Sequence, residues 1–410
     1  MRKNLKLGVF GFGCVGQGLY DVLSGTRGIK AEIVKICVKD RNKKRSIDSS
    51  YFTFDKNELL NNPEIDVIVE LIDNADDAFE IVSAALRKGK AVVTANKKMI
   101  AEHFKELHEL QQVYNVPLLY EAAVCASIPV IRNLEEYYDN DLLNSLEGIV
   151  NGTTNYILTK VSRENQSYDV ALKEAQQLGF AESNPTFDVG GFDAKYKACI
   201  LTAHAFGVFV EPSEILNYGI ESLSAFDIQY AKEKNFKIKL VAKSKKIENK
   251  LAAWVLPQFI TPENILFQVD DVYNGVQVEA VFSDKQFFQG KGAGSHPTGS
   301  AVLSDISALT YNYRYEYKKY LQENKLEFTN DFTLQIYCRY LNSELPDIDF
   351  ETIEENYKGK EFSYIVGTVN WGLLLNSEAI KSKNVFIAQT ANSEISLTEE
   401  VFEGTELAVI

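Results

Sequence analysis

The sequence is short of the features that mark membrane, secreted and nucleic-acid-binding proteins. No apolar run approaches the length of a membrane-spanning helix. Five scattered cysteines without a C-x-x-C pair indicate reduced core thiols rather than a disulfide framework. Positive charge is also scarce, because 43 Lys and Arg face 57 Asp and Glu for a net charge of −14. We therefore expect a cytoplasmic protein with no membrane or nucleic-acid partner, and no signal peptide, since residues 1–4 lead directly into a core strand.

Histidine is scarce as well, with four residues in the chain. They show no spacing typical of metal ligands, so a zinc site is not expected. Apolar residues, by contrast, make up 45% of the 410 positions. A chain of this length and composition is expected to form two or three domains with well-packed cores.

The clearest local pattern lies near the N-terminus, where Leu5–Phe10 reads as a buried strand. The glycine-rich turn GFGCVG follows at 11–16, and a helical pattern follows the turn. In a strand–turn–helix unit the three glycines permit a tight turn, the approach of a pyrophosphate and close helix packing. This pattern predicts a dinucleotide site, with an ordinary glycine turn as the alternative.

The chain divides into three predicted units. Residues 1–127 alternate strands with amphipathic helices, which indicates a parallel, doubly wound (Rossmann) α/β domain. A helical pattern over 301–325 is expected to pack back on that domain and complete it. Residues 128–300 mix strand patterns with long helices and predict an α+β domain, and residues 331–410 form a third, smaller unit.

The stretch 181–197 places three carboxylates, Glu182, Asp188 and Asp193, within a dozen residues and ends at Lys197. Asp193 and Lys197 are four residues apart where a helical pattern begins, so they share one helix face. Carboxylates can hold an ammonium or hydroxyl group and the amine can exchange a proton, which suits a zwitterionic substrate. Taken alone, the stretch fits a solvated loop with a surface ion pair equally well.

Two further stretches carry polar turns that begin a helix. After the strand pattern ending at 150, the backbone amides around Gly152 and Thr153 can receive a carboxylate, with an ordinary capping turn as the alternative. The stretch 290–298, GKGAGSHPT, is a glycine-rich loop that enters a helix, and taken alone it also fits a hairpin.

A basic stretch at 38–45 follows the second predicted strand. Its five basic residues, of which Lys39 is the first, favour pairing with the 2′-phosphate of NADP. Its single acid, Asp40, could instead accept the ribose hydroxyls of NAD, so NAD use stays open. A solvated basic loop is a third interpretation.

Six stretches together resemble homoserine dehydrogenase, and they occur in the family's order between residues 11 and 302. They are GFGCVG at 11–16, TANK at 94–97, EAAVCASIP at 121–129, NGTTNYIL at 151–158, AESNPTFDVGGFDAKYK at 181–197 and GKGAGSHPTGSAV at 290–302.

The resemblance implies an NAD(P)-dependent oxidoreductase that interconverts L-homoserine and L-aspartate 4-semialdehyde, on the route to threonine and methionine. The middle domain would bind this small-molecule substrate and form a homodimer. Lys197 would exchange the proton at the reacting oxygen, and Lys97, near both nicotinamide and substrate, is a second candidate for this acid/base role. Asp193, beside Lys197, is the third catalytic residue that the resemblance implies. The substrate-binding residues implied are Glu182, Asp188, Asp193, Gly152 and Thr153.

The resemblance also implies a cofactor site and a site for a monovalent cation, expected to be sodium. The cation would be held largely by backbone carbonyls and would tie the two domains together near their hinge. Its residues are Glu121, Val124, Ala126 and Ile128. The cofactor residues are Gly11, Phe12, Gly13, Cys14, Val15, Gly16, Lys39, Thr94, Lys97 and Gly292.

The sequence departs from the family pattern at a few positions. Asp73 and Asn74 replace the usual Gly-Gly after the third strand, where their bulk could crowd the cofactor. Cys125 and Ser127 stand in the cation loop where smaller residues are usual, and Phe180 stands where a tyrosine is common. None of these changes removes a residue implied in proton transfer.

Two other functions compete with this interpretation. A semialdehyde dehydrogenase would use Cys125 as a nucleophile, but this chemistry needs a histidine base, and none lies near it in sequence. A non-catalytic dinucleotide sensor on the same scaffold is suggested by Asp73 and Asn74. Retention of Lys97 and Lys197 favours the enzyme, because a sensor would have no use for both lysines.

The 331–410 unit is predicted to be an ACT-like domain, with a strand over 332–340, a helix over 349–357 and a long strand over 362–375. Many members of this family carry a βαββαβ ACT module there, through which threonine inhibits the enzyme. Ligand-binding modules usually place a glycine in the first turn, where backbone approaches the ligand. The turn at 341–347 has none and carries Glu344 and Asp347. We therefore predict a degenerate domain that packs or dimerises but does not sense threonine.

Overall fold

The computed structural model describes residues 4–323, 325–342, 346–391 and 393–398, and it contains two β-sheets. The first sheet consists of β1 (Leu5–Phe10), β2 (Ala31–Cys37), β3 (Phe52–Thr53), β4 (Val67–Glu70), β5 (Ala91–Thr94) and β6 (Leu118–Leu119). The strands are parallel and lie in the order β3-β2-β1-β4-β5-β6. Because the order reverses between β1 and β4, a crevice opens at the carboxyl ends of the strands, where ligands of this fold bind.

Five helices connect these strands: α1 (Cys14–Gly25), α2 (Asn57–Leu60), α3 (Ala75–Arg87), α4 (Lys97–Glu102) and α5 (Phe104–Tyr114). Helix α3 shows the pattern that fixes them, since Ala78, Val82 and Ala85 are buried at helical spacing while Asp76 and Glu80 are exposed. The predicted doubly wound α/β sheet is confirmed.

The second sheet runs through the rest of the chain. Its strands are β7 (Leu143–Ile149), β8 (Lys237–Ile247), β9 (Lys250–Ile260), β10 (Tyr273–Ala280), β11 (Asp284–Lys291), β12 (Glu327–Phe328), β13 (Phe332–Leu341), β14 (Phe350–Lys358), β15 (Phe362–Asn370), β16 (Val385–Gln389) and β17 (Ile395–Leu397). The main order is β11-β10-β7-β8-β9-β16-β13-β15-β14, with β12 paired to β9 and β17 to β13. The third unit therefore shares a sheet with the middle one through a parallel contact between β9 and β16.

The helices of the middle unit cover this sheet and return to the first. They are α6 (Val130–Glu136), α7 (Gly152–Glu164), α8 (Tyr168–Gln177), α9 (Thr186–Val189), α10 (Phe192–Phe206), α11 (Ala225–Glu233) and α12 (Ser295–Leu309). Helix α12 packs on α1, where the Ser295 hydroxyl donates a hydrogen bond to the Cys14 carbonyl at 2.8 Å. The sequence pattern predicted a helix as far as residue 325, but α12 ends at Leu309. Among the residues that the structure describes, none of the helices combines the length and the hydropathy needed to span a lipid bilayer.

The C-terminal strands lie in the order β16-β13-β15-β14, and α13 (Trp371–Asn376) follows β15. The predicted helix over 349–357 is wrong, because this segment forms β14, an edge strand with two irregularities in its pairing to β15. Apolar residues at 350, 353 and 357 have helical spacing, and the irregularities remove the strict alternation that would have indicated a strand. The predicted strand over 362–375 ends at Asn370, whose side chain caps α13 by accepting the Leu373 N–H.

Helix α11 of the middle unit packs on one face of these C-terminal strands. The Tyr230 ring lies 4.5 Å from the Tyr337 ring, centroid to centroid. Beside them, the buried Arg339 guanidinium pairs with the buried Asp227 carboxylate at 3.0 Å. The Tyr337 hydroxyl also donates to Asp227, at 3.0 Å. Apolar and ionic contacts thus bind the third unit to the second.

We predict that Arg339→Met destabilises the protein strongly, because it leaves the Asp227 carboxylate buried without its cation. The free energy of unfolding should fall by about 3–5 kcal/mol, measured by denaturant titration. The control is Lys234→Met, which breaks the exposed pair between Lys234 and Glu355 at the same boundary and should cost less than about 1 kcal/mol. Equal losses in the two variants would contradict a structural role for the buried pair.

Candidate active site

Two adjoining cavities lie at the carboxyl ends of the parallel strands. The nucleotide groove, about 900 Å³, is bordered by the glycine-rich turn and by the basic stretch. The carboxylate cleft, about 500 Å³, is bordered by Lys97, Asp188, Asp193 and Lys197. Both cavities share Cys14, Val15 and residues 71–73, which directly follow β4. A ligand in the groove can therefore reach into the cleft.

The glycine-rich turn has the geometry that a dinucleotide needs. Gly11 has a φ of +95°, and a Cβ there would lie 2.5 Å from the Leu71 carbonyl oxygen. A Cβ at Gly13 would meet no atom within 4 Å, so this part of the turn is open to a ligand. Helix α1 begins directly after it, with its first N–H groups unpaired within the helix.

The basic stretch after β2 borders the groove through Lys39, Lys43 and Arg45. The Asp40 carboxylate accepts hydrogen bonds from the backbone N–H groups of Asn42, at 2.8 Å, and Lys43, at 3.2 Å. The Arg45 guanidinium donates to the Asp40 and Lys43 carbonyls. Asp40 therefore folds the loop, which leaves the ammonium of Lys39 as a largely exposed charge whose contact is Asp77 at 2.5 Å.

The Asp193 carboxylate is the centre of the cleft. One oxygen contacts the Lys97 ammonium at 2.7 Å, and the other accepts a hydrogen bond from the Lys197 ammonium at 2.7 Å. The Asn151 amide donates to Asp193 and to Asp188, both at 2.8 Å. Lys197 also donates to the Val150 carbonyl at 2.7 Å.

Burial and charge set the protonation of this cluster. Although burial opposes ionisation, the two lysines hold the pKa of Asp193 well below its usual range. Burial likewise acts against the charge of Lys97, but Asp193 raises the pKa of Lys97 overall. The pKa of Asp188 is raised by burial and by the neighbouring Asp193 charge. Asp193 is therefore a permanent anion and a weak base.

Three helix starts bring these side chains together. Asn96 caps α4 by accepting the Met99 N–H, which makes Lys97 the first residue of that helix. Asn151 caps α7 through the Thr154 N–H. Gly191, with a φ of +81°, precedes α10, which carries Asp193 in its first turn. The positive ends of the helix dipoles stabilise the Asp193 anion.

The other predicted substrate residues border the same cleft. Glu182 is exposed at its rim, and Asp188 is partly buried. Gly152 and Thr153 open helix α7, and the Thr153 hydroxyl donates to the Phe180 carbonyl at 2.6 Å. The structure thus places all the predicted substrate residues around one cavity.

The remaining cofactor residues lie on the groove and the cleft or directly behind them. Phe12, Cys14 and Val15 border the groove, and Gly292 borders the cleft. Thr94 is fully buried and donates to the Glu70 carboxylate at 2.5 Å. Thr94 therefore lies behind the cavity surface rather than on it, and its contact with the cofactor stays a prediction.

Of the two unusual residues Asp73 and Asn74, Asn74 has a local structural reason. The Asn74 side chain caps α3 by accepting the Asp77 N–H at 2.8 Å, a bond that glycine cannot make. Asp73 borders both the groove and the cleft. Its carboxylate is thus placed where the two cavities meet.

The predicted cation residues form one buried loop between β6 and α6. The Glu121 carboxylate accepts the backbone N–H groups of Ile131, at 2.8 Å, and Arg132, at 2.9 Å. Burial, together with the nearby Asp305, raises the pKa of Glu121 to about 8. Within the described ranges, the buried carbonyl oxygens of Val124 and Ala126 accept no hydrogen bond.

Sequence reasoning missed two residues that organise the site. Asn151 bridges two carboxylates, and Glu70 bonds to both Thr94 and the Ile72 N–H. Burial raises the pKa of Glu70 to about 7. Asn151 lies at the junction of a strand and a helix, as the first residue of the stretch NGTTNYIL, and this position was the signal that could have identified it. Glu70 ends an apolar strand, where a buried acid is itself unusual.

Cys125 is not placed as a nucleophile. It is fully buried, and burial raises the pKa of its thiol to about 12. A nucleophilic cysteine needs a thiolate, which a lowered pKa or an adjacent base supplies.

Comparison with known protein families gives two matches. Residues 11–121 match the NAD-binding domain of homoserine dehydrogenase, and residues 129–307 match the homoserine dehydrogenase domain. The homoserine dehydrogenase of Helicobacter pylori is 38% identical over 313 residues, covering 75% of this chain and 74% of the relative. That of Lactococcus lactis is 36% identical over 313 residues, covering 74% and 73%.

Solved structures give the same result over a longer part of the chain. A homoserine dehydrogenase from Thiobacillus denitrificans superposes with a TM-score of 0.83 and 28% identity, covering 95% of this chain and 98% of that one. A hyperthermophilic archaeal homoserine dehydrogenase in complex with NADPH has a TM-score of 0.65 and 28% identity, covering 76% and 99%.

Proposed function

The chain belongs to the homoserine dehydrogenase family, and from that premise we propose which of its residues carry the reaction. It is an NAD(P)-dependent oxidoreductase that acts on a CH–OH group and interconverts L-homoserine and L-aspartate 4-semialdehyde. The observation that carries the proposal is the Asp193 carboxylate, which holds the ammonium groups of Lys97 and Lys197 in the cleft beside the nucleotide groove.

Lys197 exchanges the proton of the reacting hydroxyl. When homoserine is oxidised, a hydride leaves the carbon and a proton must leave the oxygen, and the nicotinamide cofactor supplies the hydride acceptor. Asp193 does not take this proton, because the lysines keep its pKa far too low. Asp193 instead fixes the two lysines, and Lys97, at the start of α4, stabilises charge at the reacting oxygen.

The substrate's two charged ends are held by different groups. The N–H groups of Gly152 and Thr153, at the start of α7, have no partner within the helix and suit the substrate carboxylate. Glu182 at the rim suits the substrate ammonium, and Asp188 adds negative charge on the same side. Because Asp193 already accepts bonds from Lys97, Lys197 and Asn151, its direct contact with substrate stays a prediction.

The cofactor is NADP in preference to NAD. The basic stretch borders the groove, whereas the Asp40 carboxylate is engaged by backbone N–H groups and is poorly placed to accept ribose hydroxyls. Gly11, Gly13, Gly16 and the start of α1 would hold the pyrophosphate.

A monovalent cation, sodium by expectation, fits the loop Glu121–Ile128. The unpaired carbonyl oxygens of Val124 and Ala126 are hard ligands, and Ala126 keeps a strained φ of +43°. The buried Glu121 and Asp305 carboxylates share the guanidinium of Arg132, which pairs with Asp305 at 2.9 Å and acts on Glu121 from a longer range, so a bound cation would offset the charge of the second carboxylate. The carbonyl of Ile128 and the Glu121 group would complete the site.

We propose three units: residues 1–127 completed by 301–325, residues 128–300, and residues 331–410. The second unit would mediate a homodimer. Contact of α12 with α1 supports the return of the chain to the first unit.

A cytoplasmic location is proposed from the resemblance to the homoserine dehydrogenase family. The retained lysine–aspartate cluster leaves no observation in favour of a non-catalytic sensor.

Lys197→Met should reduce turnover by about 10²-fold or more, the scale of general acid–base catalysis, while NADP binding survives. The measurement is kcat for homoserine oxidation followed at the nicotinamide absorbance band, with cofactor affinity by fluorescence titration. The control is Lys195→Met, two residues away on α10, where the ammonium lies over the Phe192 ring. Near-normal turnover in folded Lys197→Met would end the assignment of Lys197.

Lys39→Ala should lower kcat/KM with NADP and leave kcat/KM with NAD nearly unchanged, because it removes a cation facing the 2′-phosphate. Lys30→Ala is the matched control, since Lys30 is exposed just before β2, at the opposite end of that strand from the groove. A wild-type preference for NAD would refute the cofactor assignment.

Threonine should not inhibit the enzyme. The first C-terminal strand, β13, is followed by the strand β14 in the described ranges, so the helix that frames an ACT ligand turn is missing there. The predicted turn at 341–347 includes residues 343–345, which lie outside the described residues. Steady-state rates with millimolar L-threonine, against D-threonine as control, check this. Saturable inhibition by the L-form alone would show a working regulator.

A further inference from the structure

The Asn274 side chain is fully buried, and its amide lacks a strong hydrogen-bond partner in the part of the chain that the structure describes. It lies near the start of β10, opposite Gly290 of β11, and none of its surface is exposed. Within the described ranges, neither its Nδ2 nor its Oδ1 atom has a hydrogen-bond partner. An unsatisfied buried polar group costs about 1–3 kcal/mol, so a retained one calls for a reason.

Packing holds the amide where it is. A Cβ at Gly292 would lie 2.0 Å from Asn274 Nδ2 and 2.1 Å from its Cγ, so glycine leaves just enough room for the amide. The neighbouring Lys291 carbonyl accepts hydrogen bonds from the Ser127 backbone, at 3.3 Å, and hydroxyl, at 2.9 Å. The end of β11 is thereby clamped to the loop Glu121–Ile128.

The loop lies directly against the amide. The thiol of its residue Cys125 lies close enough to Asn274 for a weak hydrogen-bonding interaction, but a thiol is too weak a partner to satisfy a carboxamide. The flanking carbonyls of Val124 and Ala126 are buried and likewise unpaired in the described part of the chain. Unpaired oxygens from the loop and from β10 thus occur in one buried region.

We propose that Asn274 Oδ1 is a further ligand, direct or through one water, of the monovalent cation held by the loop Glu121–Ile128, an inference that rests on the proposed cation site. A neutral amide oxygen suits this place, because carbonyl-type oxygens are ligands for hard cations. It also adds no negative charge next to Glu121 and Asp305.

A cofactor or substrate atom is a poorer occupant. Asn274 has no exposed surface and does not border the nucleotide groove or the carboxylate cleft. A ligand in either open cavity therefore does not reach the amide, whereas a small ion enclosed by the loop does. The cation would then join the loop after β6 to β10 of the middle unit.

The test is the thermal unfolding midpoint of the full chain as sodium chloride replaces choline chloride at constant ionic strength. Sodium should raise the wild-type midpoint, because it binds the folded state. In Asn274→Leu the sodium concentration for half-maximal stabilisation should rise by about 10-fold or more, as expected when a ligand is lost. In Asn274→Asp, which keeps an oxygen and adds charge, this concentration should fall.

The control is Gln277→Leu on the same strand, where the amide lost is one that bonds to Glu147. It should lower the midpoint and leave the half-maximal sodium concentration unchanged. No sodium response in the wild type would overturn the cation site, and this proposal with it. If sodium stabilises the wild type and the half-maximal sodium concentration is the same in Asn274→Leu, the role of Asn274 is overturned but the cation site is not. If Asn274→Leu does not fold, Asn274→Asp takes its place, and a half-maximal sodium concentration equal to that of the wild type then overturns the role of Asn274.

Discussion

The catalytic region depends on one buried carboxylate shared by two lysines. Asp193 sits on α10 of the middle unit, where it meets Lys197 one turn along the same helix and Lys97 from α4 of the nucleotide-binding unit. A buried anion is stable only when cations and hydrogen bonds replace the lost hydration. The second lysine comes from the other unit, so the charge of Asp193 is fully satisfied only where the two units meet.

Buried polar contacts also join the units at two other places. Behind the cleft, the Tyr120 hydroxyl lies 2.8 Å from His204, whose other ring nitrogen lies 2.6 Å from the Glu135 carboxylate. At the third unit, Asp227 and Arg339 play a similar part. Buried polar pairs demand defined geometry, whereas apolar contacts tolerate sliding. The relative placement of the units is therefore set more tightly than apolar packing alone would set it.

Much of the first unit could be predicted from the sequence, because its signals are local. Strand, turn and helix follow one another within a few residues, and the positive φ of Gly11 and the open backbone at Gly13 belong to the turn itself. The C-terminal unit could not be predicted in the same way. Phe350, Ile353 and Tyr357 have helical spacing, but β14 is formed through pairing with β15, whose register no local pattern reveals.

The candidate site likewise has residues that the sequence revealed and residues that it did not. Glu182, Asp188, Asp193 and Lys197 were recognisable because they lie in one short stretch. The bridging amide of Asn151 and the buried acid Glu70 act through bonds to residues that are distant in sequence. Their roles depend on which strand ends face the same crevice.

The sequence by itself determined the chemistry and the nucleotide-binding fold, since both are carried by residue types at short spacings. The tertiary structure alone decided which lysine faces each oxygen of Asp193, that Asp40 folds its own loop, and that Asn274 is left unpaired against Gly292. These are contacts between segments far apart in the chain, and they exist only once the sheets have fixed the distance and direction between those segments.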